Sequence, residues 1–200
     1  MKIAILVEGK TEKAFKPFLQ KFLKSRLQQM PKIDFKPQEG RIPKEGKLQR
    51  IVRYLLDDNG YDAVIALTDI YTGSDDFTDG KDAKEKMKNW VGNEPRFYPH
   101  VAQYDFEAWL LPFWSTIQRL AGHDKSAPSG LPEQVNHNNP PSKRIAEIFR
   151  LGKKGRKYSK PNVAASILKE NNLMDTVNVC PELKAFLNTI LELAGGELIP

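Results

Sequence analysis

Two runs of uninterrupted apolar residues, each closed by a carboxylate, limit what this chain can fold into. Lys2-Ile3-Ala4-Ile5-Leu6-Val7 ends at Glu8, and Asp62-Ala63-Val64-Ile65-Ala66-Leu67-Thr68 ends at Asp69. Neither run alternates apolar with polar residues, so both suit buried strands of a parallel sheet better than strands with one wet face. A third run, Phe97 to Gln103, contains Pro99, which cannot donate to a strand ladder and predicts a place near the sheet edge. It leads into Asp105 and Glu107.

Helical patterns separate these runs. Between residues 11 and 29, Ala14, Phe15, Phe18, Leu19, Phe22, Leu23 and Leu27 recur close to the 3.6-residue period; Thr11 would cap this helix and Pro31 would stop it. Residues 33–36 suit a short strand, Pro37 to Gly46 a loop, Lys47 to Leu56 a second helix and residues 80–91 a third, while Tyr71 to Asp79 read as a polar loop. Asp105 to Leu111 opens another helix. The alternation predicts an α/β fold, a mostly parallel sheet with helices on both faces. After about residue 112 strand signals stop, residues 122–142 are rich in Pro, Gly, Ser and Asn, and segments 142–150, 161–170 and 181–194 are helical in pattern. Two hundred residues suit this division: an α/β core over 1–112 and a helical extension packed on it over 113–200.

Composition narrows the class. Apolar residues make up 40% and charged residues 28%, as in an ordinary globular protein. No apolar stretch reaches the length of a membrane span, the N-terminus lacks a signal-peptide pattern, and a single cysteine excludes an internal disulfide framework, so a cytoplasmic location is expected. The net charge is +6, with acids bunched at 57–58, 69–82 and 105–107 and bases at 10–26, 41–53 and 143–160. A basic chain with a local acidic nest fits an enzyme that holds cations and binds a polyanion; solvated helix faces are the plainer explanation of the same charges.

In a parallel sheet the strand ends lie along one edge, the edge at which open α/β sheets bind ligands. Glu8, Asp69, Asp105 and Glu107 would therefore crowd together and repel one another unless a hard cation sits among them. Oxygen ligands with no His or Cys nearby select Mg²⁺ or Mn²⁺. Taken singly, each acid has a structural explanation: Asp69 can cap a turn with Thr68, Asp105 can cap the helix at Phe106, and Glu107 can serve its first turn. Lys143 and Arg144 start a helix, where the macrodipole disfavours cations, and they are candidates for clamping a phosphate. Lys153, Lys154, Arg156, Lys157 and Lys160 form a basic loop; Arg41 and Lys47 are weaker candidates. Gly9-Lys10-Thr11 imitates the end of a P-loop, which would support a phosphotransferase, but Ala4 stands where the first glycine of that motif belongs. Trp109 suits the core, Cys180 suits a buried helix start, and His100, His123 and His137 lack metal-ligand spacing.

Val7-Glu8-Gly9-Lys10-Thr11-Glu12 resembles the opening motif of the toprim superfamily, which includes topoisomerase and primase catalytic domains and the nuclease domains of overcoming-lysogenisation-defect proteins. The chain further resembles an uncharacterised toprim-like bacterial family often encoded beside an ABC/AAA-type ATPase. That resemblance rests on Thr68-Asp69-Ile70-Tyr71, Gln103 to Leu110, Pro141-Ser142-Lys143-Arg144 and Cys180-Pro181. It implies a Mg²⁺- or Mn²⁺-dependent nuclease acting on DNA or RNA, serving phage defence, with an ATPase partner and compatible with a homo-oligomer. Glu8 would be base or ligand, Asp69 the principal ligand, Asp105 and Glu107 the rest of the shell. The Asp-x-Asp of active toprim enzymes is here Asp69-Ile70-Tyr71, with one acid, and that departure supports the alternative of a non-catalytic subunit partnering an ATPase.

Overall fold

A computed structural model describes residues 1–70, 75–135, 139–152 and 158–200. Four strands, β1 (Lys2–Val7), β2 (Lys32–Pro37), β3 (Ala63–Asp69) and β4 (Phe97–Ala102), form one sheet in the order β2-β1-β3-β4, with every neighbouring pair parallel. The expected α/β architecture is present, and its sheet is wholly parallel. Pro99 pairs in register with Ala66 on β4, at the sheet edge, where its missing N–H is tolerated.

Alternate residues of the central strands β1 and β3 feed two separate cores, as the pleat requires. Ile3, Ile5, Val7, Ile65 and Leu67 face α1 (Lys10–Lys24) and the helical C-terminal region. Ala4, Leu6, Val64 and Ala66 face α2 (Glu45–Arg53) and α3 (Gly80–Val91), meeting Leu48, Val52, Ala83 and Met87. Each large side chain buried this way contributes about 1.5–3 kcal/mol, which is why uninterrupted apolar runs sit at the centre of the sheet.

Local signals correct several expected boundaries. Helix α1 is capped at Gly9, not Thr11, because the Glu12 carboxylate accepts the Gly9 N–H at 3.1 Å. It stops at Lys24, well before Pro31: the Ser25 hydroxyl donates to the Phe22 carbonyl, and the N–H groups of Arg26 and Leu27 both turn back to Leu23. Helix α2 starts at Glu45, two residues before Lys47, and passes into a π turn over Tyr54–Asp58. The segment after Asp105 is a 3-10 helix, Phe106–Phe113, continuing as α4 (Trp114–Ala121).

Beyond α4 come a short 3-10 turn (Pro132–Gln134), α5 (Pro141–Leu151), α6 (Lys160–Glu170), α7 (Leu173–Val177) and α8 (Pro181–Leu193). Five-residue α7 is too short to show a period in sequence; the Asn172 side chain caps it by accepting the Met174 N–H. Leu183, Phe186, Leu187 and Ile190 of α8 join the same core as β1 and Trp109. Trp109 is a core residue, its indole N–H donating to buried Glu133, which also accepts the backbone N–H groups of Glu182 and Leu183 at the start of α8. Cys180 is buried beside that helix start, and burial pushes its thiol up, so it packs as a small apolar group. Among the described residues no helix is long and apolar enough to cross a membrane.

Gly152, which ends α5, fits against α4 so closely that a Cβ there would lie 1.9 Å from the Ala121 carbonyl oxygen, while one at Gly46 in α2 would meet nothing within 4 Å. Gly152→Ala should therefore lower the unfolding free energy by about 1–3 kcal/mol. Gly46→Ala should be neutral or stabilise by up to about 1 kcal/mol. Urea titration of both variants checks this; equal midpoints would mean that the α4–α5 contact is not tight.

Candidate metal centre

The strand order reverses direction between β1 and β3, and the site is built at that switch point. Glu8 follows β1 directly. Its Oε1 accepts the Thr68 hydroxyl at 2.6 Å and the Asp69 N–H at 3.1 Å, so the last two residues of β3 hold the Glu8 side chain in one orientation. Asp69 ends β3 and is 8% exposed. Across the next ladder, Tyr104 adopts a left-handed backbone (φ 69°), unusual for an aromatic residue, and turns the chain leaving β4 into Asp105 and Glu107. Asp105 stands at the N-cap position of its helix, as expected, with its carbonyl accepting the Ala108 N–H, while its side-chain Oδ2 accepts the Ser142 N–H at the start of α5 (3.1 Å). Glu107 faces Lys160 at the start of α6, Nζ to Oε1 3.6 Å.

All four acids named from the sequence, with Glu12 of α1, are 8% exposed or less. They feel one another strongly. Burial drives the Asp69 carboxyl well above its ordinary range, and Glu8, Glu12, Asp105 and Glu107 add to that rise. Glu107 is pushed up to about 7, first by burial and then by Asp105, against the pull of Lys160. Glu12 and Asp105 are also raised, chiefly by burial.

Glu133 shows what a purely structural buried carboxylate looks like in this protein: three N–H donors satisfy its two oxygens. Asp105 Oδ1 and Glu107 Oε1, also buried, have no hydrogen-bond donor; Glu107 Oε1 has Lys160 Nζ at 3.6 Å. A buried carboxylate oxygen without a donor, as at Asp105 Oδ1, is costly and calls for a positive partner. Among the described residues, no three His, Cys, Asp or Glu groups close tightly enough to form a finished cation cage. The donors nevertheless fit a hard divalent cation, being carboxylate oxygens with burial that excludes competing water.

His100 and His123 stay out of this chemistry. His100 Nε2 lies 3.0 Å from the Thr189 hydroxyl, and burial lowers its ring to about 4. His123 Nδ1 accepts the Lys125 N–H. Lys143 is exposed and Arg144 Nε donates to the Asn139 carbonyl, so at the start of α5 it is the Ser142 backbone that touches the acids. Tyr71, His137 and the basic run Lys153, Lys154, Arg156 and Lys157 lie outside the described residues. A narrow crevice of about 10 Å³, room for one water molecule, lies beside Glu8 and Asp69, with Arg41, Lys44 and Asp76 on its rim.

The sequence matches one family over residues 7–191, nearly its whole length. The chain belongs to the family described as Domain of unknown function (DUF4276). Comparison with curated proteins gives no match. The fold of this DUF4276 chain is similar to the C-terminal region of the Burkholderia pseudomallei OLD protein, with a TM-score of 0.55, 14% identity, and coverage of 96% of this chain and 98% of that one. At that identity the likeness is one of fold.

Sequence reasoning missed Glu12, Ser142 and Lys160 as members of the site. Glu12 stands three residues after the helix-capping Gly9, a spacing that marks a helix start and so conceals a shared carboxylate. Ser142 acts through its backbone, and Lys160 is brought to Glu107 by a long-range approach of α6; neither contact has a local sequence signal.

The raised carboxyls give a pH dependence. A carboxyl whose folded value exceeds its unfolded one favours the folded state while protonated, and that stability is lost as pH rises from about 4.5 through about 7 for Glu107. Buried neutral His100 works the other way below 6.5, so the difference between wild type and Glu107→Gln is the quantity to read. In EDTA the two should be nearly equally stable at pH 5, and the variant more stable by on the order of 2 kcal/mol at pH 8. Urea unfolding at both pH values decides it; a constant difference would show that Glu107 is not held against its charge.

Proposed function

We propose that this chain is a divalent-metal-dependent phosphodiesterase that cuts nucleic acid, built as an α/β core over residues 1–112 with a helical extension over 113–200. One observation supports the reading: buried carboxylates follow β1, β3 and β4 at one edge of the sheet and raise the Asp69 carboxyl together, with Asp105 Oδ1 left without a hydrogen-bond donor. The toprim-like motif at Val7 to Glu12 and the fold shared with an OLD C-terminal region support the same class.

Asp69, Asp105 and Glu107 would hold Mg²⁺ or Mn²⁺, with Glu8 beside them as ligand or general base. A divalent ion bound there supplies Lewis-acid polarisation of a phosphate oxygen and a water of lowered pKa. Thr68 and the Asp69 N–H fix the Glu8 carboxylate so that it can take a proton from a defined direction. Lys160 balances Glu107 from the solvent side and is poised to meet negative charge on a substrate. Lys143 and Arg144, at the start of α5, would contact the strand further out. An ATPase partner and a role in defence against mobile DNA are what the family resemblance implies, and a cytoplasmic location is what the composition implies.

The single acid in Asp69-Ile70-Tyr71 and the lack of a finished cage among the described residues favour a second reading, a non-catalytic subunit of an ATPase complex. Cleavage separates the two. Plasmid DNA or RNA should be cut with Mn²⁺ or Mg²⁺ and spared in EDTA, and Glu8→Gln and Asp69→Asn should each reduce the rate by about 100-fold or more. Absence of cleavage by a preparation that Mn²⁺ stabilises against heat, alone and with the neighbouring ATPase, would favour the second reading.

A further inference from the structure

The crevice beside Glu8 and Asp69 carries a second set of charges. Arg41 Nη1 and Lys44 Nζ close on the Asp76 carboxylate, one on each oxygen, and all three residues line the crevice. Lys44 first, then Arg41, hold the Asp76 carboxyl below the usual carboxylate range. A guanidinium and an ammonium bridged by one small oxyanion are also the arrangement that two cations make around a phosphate, which offers the same acceptor oxygens and at least as much charge.

The two cations are tied to the sheet. The Gln38 N–H donates to the Val7 carbonyl at 2.8 Å and the Gly40 N–H to the Glu8 carbonyl at 3.0 Å, so the segment from β2 to α2 runs beside the end of β1. Glu39 (φ 54°) and Glu45 (φ 48°) bracket Arg41 and Lys44 in left-handed backbone, a conformation that non-glycine residues keep only under constraint. Asp76 comes from elsewhere, the segment entering α3, where Lys86 Nζ holds its carbonyl at 3.0 Å. The side chains of Arg41 and Lys44 are 52% and 46% exposed. Ion pairs this open are weak and screened by salt, so another anion can take the place of Asp76.

We propose that Arg41 and Lys44 form a binding site for one backbone phosphate of a nucleic-acid strand beside the carboxylate cluster, and that Asp76 fills this site as an internal anion until a strand displaces it. The identity of the strand rests on the nuclease reading; the ion-pair geometry does not. The site thus lies next to the acids, on the exposed rim of the crevice, where a strand lying across that rim would be anchored by one phosphate.

The test is binding of a labelled single-stranded oligonucleotide to the full chain in EDTA, read by fluorescence anisotropy. Asp76→Asn should tighten binding about fivefold. Glu85→Gln, the same charge change on the exposed face of α3, should alter it by less than about twofold. Arg41→Gln combined with Lys44→Gln should weaken binding, flatten its salt dependence and abolish the gain from Asp76→Asn. The site is refuted if Asp76→Asn binds no better than Glu85→Gln, or if its gain survives without Arg41 and Lys44. Should Asp76→Asn not fold, Arg41→Gln with Lys44→Gln is compared with Lys81→Gln and Lys88→Gln together, two exposed lysines of α3, and equal weakening refutes the site. Because no metal is present, a failure of cleavage leaves a positive binding result standing, and cleavage alongside unchanged Asp76→Asn binding removes the phosphate site alone.

Discussion

Mutual repulsion among five buried carboxylates at one sheet edge is the constraint around which this fold is arranged. The sheet cannot avoid it, since parallel strands deliver their C-terminal ends to the same side, and β1, β3 and β4 all lead into acids there. The surrounding structure relieves the repulsion piecemeal. Thr68 and the Asp69 N–H bind Glu8, the Gly9 N–H binds Glu12, the Ser142 N–H binds Asp105, and Lys160 approaches Glu107. Those donors come from β3, α1, α5 and α6, so the C-terminal helices contribute to the electrostatics of the sheet edge as well as to its core. The part left unrelieved is seen in the raised carboxyls and in Asp105 Oδ1, which has no donor.

Strand identity, sheet class and the clustering of Glu8, Asp69, Asp105 and Glu107 were legible in the chain because each depends on short-range patterns: an apolar run, then an acid. Pro99 marked the edge strand for an equally local reason. The cap of α1 and its early end were less legible, because competing hydrogen bonds from Glu12 and Ser25 override period and proline as punctuation. Lys143 and Arg144 illustrate the limit. Their sequence position at a helix start is right, but which atom of that start reaches Asp105 depends on how α5 docks, and the docking brings in the Ser142 backbone. Lys160 and Arg41 show the same thing for charge: a basic run can be counted in sequence, whereas its pairing with Glu107 or Asp76 is a tertiary fact.

Burial alone does not make a carboxylate functional, and the contrast with Glu133 makes the point within one molecule. Glu133 is as hidden as Glu107, yet its donors are complete and it fastens Trp109 to the start of α8. The difference lies in how many donors the fold supplies. That criterion sets Asp105 Oδ1 and Glu107 Oε1, which accept no hydrogen bond, apart from the satisfied oxygens of Glu133.

The margins of the sheet carry a consequence for assembly. At one margin β4 presents Pro99, which has no N–H to offer a neighbouring strand; at the other, β2 carries Lys32, Asp34 and Lys36 and ends in Pro37. Charges and prolines at both margins discourage another strand from docking edge to edge. If copies of this chain associate, their contacts are directed to the helical surfaces, leaving the C-terminal ends of the strands uncovered rather than sealed within a continuous intermolecular sheet.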